Sequence, residues 1–385
     1  MTRDRAAEAY TNSVTFPIYN SASYYFKDRQ EVIDGLHRKT LCRGRYGRYD
    51  NPSWLHVEQE LSTLNGADSS LLFASGMAAH FTAFMTFLKS GDHVVLPAES
   101  YRQVRNLFLK VLPKFGVNVH VFSIKQPDYF LEQLSEIRDR VRLVHLEMPS
   151  SPHMYLIDLE EVRRVVGREV IVTIDSSFAP PPNFFPLAYG CDLSICSGTK
   201  YLSGHGDLVV GAISGNLDLI ERIRWYRDTT GAITDGRVAD LLSRSLCTLE
   251  LRLARVNETA QRVAEFLSTH PRVERVLYTG LETHPHRILA RKYLRGHGGV
   301  VTFDLKENMR GTADFVDRLK VPFMASNFGA PQTLVEQSAF FTYFEYSEDE
   351  LKAIGVRHGT VRLAIGYADD AQEVIRDLEA ALGRK

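Results

Sequence analysis

From Trp54 to Asp175 the chain alternates short apolar runs with longer amphipathic stretches, and this rhythm constrains the fold more than any other feature. Apolar runs at Ser70–Ala74, His93–Pro97, Val117–Phe122, Leu143–Glu147 and Val170–Ile174 have the length and β-branched content of strands. Between them, Leu55–Leu64, the stretch after Gly76, Tyr101–Phe115, Phe130–Arg138 and Leu159–Val166 carry apolar residues at helical spacing. Strand and helix repeated with short connections predict an α/β fold with a mainly parallel, doubly wound sheet covered on both faces. Such sheets bind ligands outside the carboxyl ends of their strands. Glu147 and Asp175, each closing an apolar run, therefore become site candidates.

A chain of 385 residues is too long for one ordinary core. An amphipathic pattern from Leu246 to Phe266 leads out of the first unit, and Val273–Tyr278, Gly299–Leu305 and Val361–Ile365 supply strands for a smaller α+β unit. The expected division is an N-terminal arm over 1–55 with a short helical pattern at Glu31–Lys39, a large domain over 56–250 and a C-terminal domain over 251–385. A formal net charge of -1 supplies no basic excess for nucleic acid or an anionic membrane. The opening residues MTRDRAAEAY lack the apolar core of a signal peptide, and no run approaches the roughly 18 apolar residues of a membrane span. A cytoplasmic protein is expected. Cys42, Cys191, Cys196 and Cys247 are scattered without CxxC pairing, which suits packed thiols in a reducing compartment and no disulfide or metal framework.

Ser197-Gly198-Thr199-Lys200-Tyr201 follows the apolar segment Leu193–Cys196. A lysine just after a strand, beside two hydroxyls and a glycine, suits an aldehyde-bearing phosphate cofactor: the amine forms an imine and the hydroxyls bond the phosphate. A surface lysine fits this motif alone equally well. Asp175, 25 residues upstream (200 − 175), changes the balance. A carboxylate there keeps a pyridine nitrogen protonated, whereas its alternative role as a helix N-cap suits the following Ser-Ser-Phe-Ala-Pro-Pro poorly. Ala74-Ser75-Gly76-Met77-Ala78-Ala79 joins strand to helix through small residues, and the N–H groups of such a helix start bind phosphate. A plain tight turn is the other reading. Together the three segments assign pyridoxal 5′-phosphate (PLP), with Ser75, Gly76, Met77, Ser197 and Thr199 at its phosphate.

Over nearly its whole length the sequence resembles the Cys/Met-metabolism PLP enzymes: cystathionine γ-synthase, cystathionine γ-lyase, methionine γ-lyase and O-acetylhomoserine sulfhydrylase. The likeness is carried by Tyr46-Gly47-Arg48-Tyr49-Asp50-Asn51-Pro52, Ser75–Ala79, Ser197–Tyr201 with Gly204-His205-Gly206-Asp207, Thr248–Arg252, Gly296–Gly299 and Val361–Gly366. It implies PLP fold type I and a homotetramer, a dimer of dimers with active sites at the dimer interface. By the same resemblance Tyr46 and Arg48 reach the neighbouring subunit's cofactor phosphate, Tyr46 also lies near substrate, and Tyr101 stacks on the pyridine ring and assists the leaving group. Arg362, in an otherwise apolar strand, is costly to bury unpaired. A substrate carboxylate pairs it bidentately, and a buried Arg–carboxylate bridge is the alternative.

Departures from the family pattern gather at the substrate end. Its E-x-P-x-N-P is Glu147-Met148-Pro149-Ser150-Ser151-Pro152, so Ser151 stands where an asparagine touches the cofactor phenolic oxygen. The usual D-x-Y-G-G-T reads Glu99-Ser100-Tyr101-Arg102-Gln103-Val104, and Arg102 and Gln103 either enter the site or belong to a solvated helix start. Ser326-Asn327-Phe328-Gly329 replaces S-L-G-G after Ala325, where many cystathionine-handling members have glutamate, and the later M-T-H reads Phe341-Thr342-Tyr343. The expected chemistry is γ-elimination or γ-replacement on a γ-substituted amino acid through an external aldimine. Lys200 moves protons at Cα and Cβ, Asp175 sustains the ring, Tyr101 assists the leaving group, and Arg362, Ser326 and Arg102 face substrate. Formation of an unsaturated amino acid from a 4-substituted, for example halogenated, substrate is an alternative, as are β-elimination, transamination and a PLP-binding protein without turnover.

Overall fold

The computed structural model describes residues 13–37 and 46–383. Cys42, the end of the Glu31–Lys39 pattern and the opening residues lie outside this range. Seven strands form the first sheet: β1 (Ser69–Phe73), β2 (His93–Pro97), β3 (Asn118–Phe122), β4 (Val141–Glu147), β5 (Ile171–Asp175), β6 (Leu193–Ser197) and β7 (Gly211–Gly215). Their order is β1-β7-β6-β5-β4-β2-β3, parallel throughout except for β7, which runs antiparallel to both neighbours. The mainly parallel, helix-covered sheet expected from the alternation is thus present.

Period-two alternation sorts the strand residues between two cores. Leu143, Ile171, Leu193 and Ile195 pack with Ala79, Ala83, Phe84 and Phe87 of the helix Gly76–Phe87. Val144, Leu146, Val172 and Ile174 face the opposite way, onto Phe130, Leu134 and Val162 of the helices Pro127–Ile137 and Leu159–Val166. The outer edge of β1 is closed by buried charge: Glu58 Oε1 accepts from Leu72 N at 3.0 Å and from Arg227 Nη1 at 2.6 Å, while Arg227 Nη1 also donates to Leu72 O at 3.1 Å. These bonds satisfy backbone groups that an edge strand otherwise leaves open.

A helix at Leu249–Thr269 leads to a five-stranded sheet of β8 (Val273–Leu277), β9 (Val300–Leu305), β10 (Phe323–Met324), β11 (Leu334–Gln337) and β12 (Thr360–Ala364), ordered β10-β11-β12-β9-β8. Its core joins Val301, Phe303, Val361 and Leu363 to Ala260, Val263 and Leu267 of that helix.

Two helical expectations are corrected. The Leu246–Phe266 pattern is the single helix Leu249–Thr269, shifted by three residues: Leu246 closes the preceding helix Gly236–Leu246, and Cys247–Thr248 separate the two. Tyr101–Phe115 is not one α-helix: a turn at Arg102–Asn106 widens to a π-helical turn at Leu107–Val111 and tightens to 3₁₀ at Leu112–Phe115. Pro113, with no N–H to donate, lies within the tightened turn. Among the described residues no helix is long and apolar enough to cross a membrane.

Candidate active site

The carboxyl ends of β1, β4, β5 and β6 lie together. Glu147 is in register with Asp175, while Phe73 and Ser197 both face Gly211 across the sheet. Two residues past β1, Ser75 caps the helix Gly76–Phe87 by accepting from Ala78 N at 3.1 Å. The N–H groups of Gly76 and Met77 open that helix and have no intrahelical acceptor. Small residues permit this crowding: a Cβ on Gly76 would stand 3.1 Å from Ser197 Cβ, and one on Gly211 2.2 Å from Ser75 O. The helix-start amides and the Ser197 end of β6 are thereby brought together in one small-residue turn, of a kind that can receive an anion.

Lys200 projects from a tight turn. Thr199 N and Oγ1 both bond Val210 O, at 3.1 and 3.3 Å, and Val210 N donates back to Thr199 Oγ1 at 3.1 Å. The Thr199 hydroxyl thus pins the turn that carries Lys200. Lys200 Nζ donates to Asn327 Oδ1 and lies 4.9 Å from the Phe328 ring, which stacks on Phe178 at 4.3 Å. The turn carrying Asn327 presses onto the lysine backbone through Gly329, at φ 78°, where a Cβ would come within 2.7 Å of Lys200 C. Burial, and then the Arg362 charge, lower the Lys200 pKa to about 8, while Asp175 acts in the opposite sense. Such an amine is a competent nucleophile and proton carrier near neutrality.

Asp175 caps no helix. Its Oδ1 accepts from Ser177 N at 2.8 Å, and its Oδ2 lies 3.3 Å from His80 Nε2. Burial pushes this carboxyl's pKa up, but the contacts with His80 and Ser177 outweigh it and hold the pKa below the usual value. Glu147 is pushed well above the ordinary carboxylate range by burial and by Asp175. It latches two loops, accepting from Tyr101 N at 2.6 Å and from Ser151 N at 2.8 Å. Tyr101 is 44% exposed; burial of part of the ring, opposed by Arg102, raises its hydroxyl pKa. The hydroxyl stays protonated and able to act as an acid.

At the expected substrate end Arg362 makes the buried bridge that is one reading of its sequence context. Its Nε lies 3.3 Å from Glu336 Oε1, directly across β11 and β12, so a buried bridge exists. Among the described residues Nη1 and Nη2 have no hydrogen-bond partner, which leaves the bidentate edge open to a carboxylate. Thr342 Oγ1 donates to Glu336 and lies 3.0 Å from Ser326 Oγ. Arg102 turns toward the 340–346 segment, pairing with Glu345 at 3.0 Å and lying over Phe344, while Gln103 accepts from Asn106 along its own helix. The cation expected from Arg102 is thus met by a carboxylate, and Gln103 is a solvated helix-start residue. The buried Tyr343 hydroxyl, its pKa raised by burial, is hydrogen-bonded with Ser151. Tyr46 and Arg48 are not brought to Lys200 within one chain: Tyr46 bridges to Ser23, and Arg48 donates to the Asp228 carbonyl and lies over Tyr46 and Tyr49.

Sequence reasoning missed His80, Asn327 and Glu336. His80 had a readable signal as a polar residue in the apolar run Gly76–Phe87, whereas Asn327 was visible only as a replacement within a matched stretch. The donor set fits PLP: a cradle that a Cβ would fill, a low-pKa lysine and an ionised carboxylate at the adjoining strand end.

Comparison with known proteins agrees. The pattern defining the Cys/Met metabolism PLP-dependent enzymes matches residues 2–383. Cystathionine gamma-synthase 1, chloroplastic, of Nicotiana tabacum is 36% identical over 360 residues, 93% of this chain and 66% of its own length, so the chain spans just under two thirds of that enzyme. L-methionine gamma-lyase of Fusobacterium nucleatum subsp. polymorphum is 32% identical over 96% of this chain and 93% of its own. The crystal structure of cystathionine gamma synthase from Xanthomonas oryzae pv. oryzae in complex with aminoacrylate and cysteine superposes with a TM-score of 0.89 at 29% identity, covering 97% of this chain and 94% of that one.

Proposed function

The chain belongs to the Cys/Met metabolism PLP-dependent enzyme family, and from that premise we propose that it performs γ-elimination or γ-replacement on a γ-substituted L-amino acid, with Lys200 as the cofactor lysine. Ser75, Gly76, Met77 and Ser197 would hold the phosphate, Asp175 the ring nitrogen, and Ser151 the side of the ring facing β4. Bound there, PLP supplies an electron sink for charge developing at the substrate Cα. Arg362 orients the substrate carboxylate, Lys200 carries protons at Cα and Cβ, and Tyr101 protonates the departing group. The observation that carries this reading is the placement of the buried Lys200 amine, held by Asn327 beside the Ser75–Gly76 turn and under the charges of Arg362 and Asp175.

Ala325 offers no carboxylate at the substrate end, and the Arg102 charge is paired with Glu345. Both features favour a γ-substituent smaller than a second amino acid, including a 4-substituted substrate converted to an unsaturated product. The separate large and small sheets support a two-domain division, and the outlying contacts of Tyr46 and Arg48 support a shared site in a dimer of dimers. The buried thiols of Cys191 and Cys196 and the exposed thiol of Cys247 suit a reducing cytoplasm.

Incubation with O-acetylhomoserine, methionine, cystathionine and 4-haloamino acids, followed by mass spectrometry, tests the reading. Release of the γ-substituent with a 2-oxo acid, an unsaturated amino acid or a thioether product is expected from at least one. Solvent deuterium exchange at Cα without any release would reduce the proposal to proton transfer, and absence of both would sink it.

A further inference from the structure

His80 has entered so far only as a contact of Asp175. It sits on the helix Gly76–Phe87 with 2% of its surface exposed, among Phe84 and His145, whose ring stands edge-on at 5.1 Å and 89°. Its Nδ1 is 2.8 Å from the Gly76 carbonyl oxygen, one turn back along the helix. A carbonyl only accepts, so Nδ1 carries the hydrogen. This fixes the ring and leaves Nε2 3.3 Å from Asp175 Oδ2. A bare Nε2 lone pair facing a buried carboxylate would be repulsive, whereas an N–H there makes a charge-assisted hydrogen bond. Among the described residues Nε2 makes no hydrogen bond of good angle, and the Asp175 oxygen at 3.3 Å is the polar contact it has.

We propose that His80 is a positioning residue: by donating Nε2–H to Asp175 and Nδ1–H to Gly76, it fixes the ring-nitrogen carboxylate to the helix start that cradles the phosphate. The proposal rests on reading Asp175 as the partner of the cofactor ring nitrogen. It goes further by joining the two protein groups that would hold opposite ends of one rigid cofactor through a single side chain. The Gly76 carbonyl belongs to the same first turn as the phosphate-facing amides, so a shift of that turn is transmitted to Asp175 through a stiff imidazole. The titratable groups facing His80 are Asp175 from β5 and His145 from β4. His145 Nδ1 lies 2.9 Å from Thr173 Oγ1, and burial, then His80, hold its pKa well below the ordinary value, so it brings no competing charge. Asp175 is left as the one charged group against the His80 ring.

A double-mutant cycle with His80→Phe and Asp175→Asn tests this on the holoenzyme and on protein stripped of PLP and titrated with it. His80→Phe is expected to weaken PLP binding about tenfold, the loss of one charge-assisted bond to a second-layer partner, and to shift the pH profile of the visible absorbance. On the Asp175→Asn background the same change should add less than about twofold, since both act through one carboxylate. His80→Gln, which keeps an N–H at the Nε2 position, should restore binding to within about threefold of wild type. Costs that add, or a His80→Phe protein with wild-type affinity and pH profile, would reduce His80 to packing. An Asp175→Asn protein unchanged in affinity and spectrum would overturn the reading of Asp175 itself, and the His80 proposal with it. Should His80→Phe not fold, ¹⁵N-histidine spectra of the wild-type holoenzyme decide: two protonated nitrogens, in a signal lost in His80→Gln, support the proposal, and a bare Nε2 overturns it.

Discussion

Lys200 owes its character to neighbours far away in sequence: burial first and Arg362 second depress its amine, and Asn327 holds Nζ in place. The free amine of cofactor-stripped protein reacts only when neutral, and a lowered pKa enlarges that fraction. The rate of PLP capture should therefore rise with pH to a midpoint at about 8 and level off above it. Arg362→Met, which removes a depressing charge, should move the midpoint upward. Stopped-flow absorbance across pH 6–10 checks both, and a midpoint near the ordinary lysine value of about 10.4 would contradict the burial seen here. Lys200, Asp175 and Ser75 were legible in the sequence because each is a polar or small residue placed just after an apolar run. Asn327 was not, since its meaning arises only when the turn ending at Gly329 is pressed onto Lys200, a contact with no sequence spacing.

Among the elements, the strands β2 and β4–β6 were readable to within about two residues, because buried parallel strands are nearly continuous apolar runs. β7 and β11 were not. Gly211-Ala212-Ile213-Ser214-Gly215 is too small-sided to read as a strand, and its small residues are what let it pass beneath the Ser75 turn. β11 carries Glu336 and Gln337, polar residues whose burial is tolerated because Arg362, Thr342 and backbone carbonyls meet them. Gly211→Ala should cost about 1–3 kcal/mol of stability by overpacking against Ser75 O, and should weaken PLP retention by displacing the cradle. Urea denaturation and equilibrium dialysis measure the two effects. Wild-type values in both would mean that the turn yields more easily than this packing implies.

For the whole molecule, two sheets joined by a long helix followed from hydrophobic periodicity, whereas the company kept by Tyr46 and Arg48 did not. Their expected role lies in a neighbouring subunit, which no periodicity within one chain reveals. If sites are shared across a dimer, inactive Arg48→Ala and Lys200→Ala proteins mixed under subunit exchange should recover about a quarter of the wild-type sites, the statistical yield of random pairing in a twofold dimer. No recovery, despite hybrids seen by native mass spectrometry, would confine each site to one chain.

The central claim is that Lys200 carries PLP as an imine. Borohydride reduction of the holoenzyme, followed by peptide mass spectrometry, should place a pyridoxyl phosphate adduct on Lys200, and the Lys200→Ala protein should lack both the adduct and the visible absorbance. An adduct on another lysine, or a Lys200→Ala protein that keeps its visible spectrum and turnover, would contradict the account.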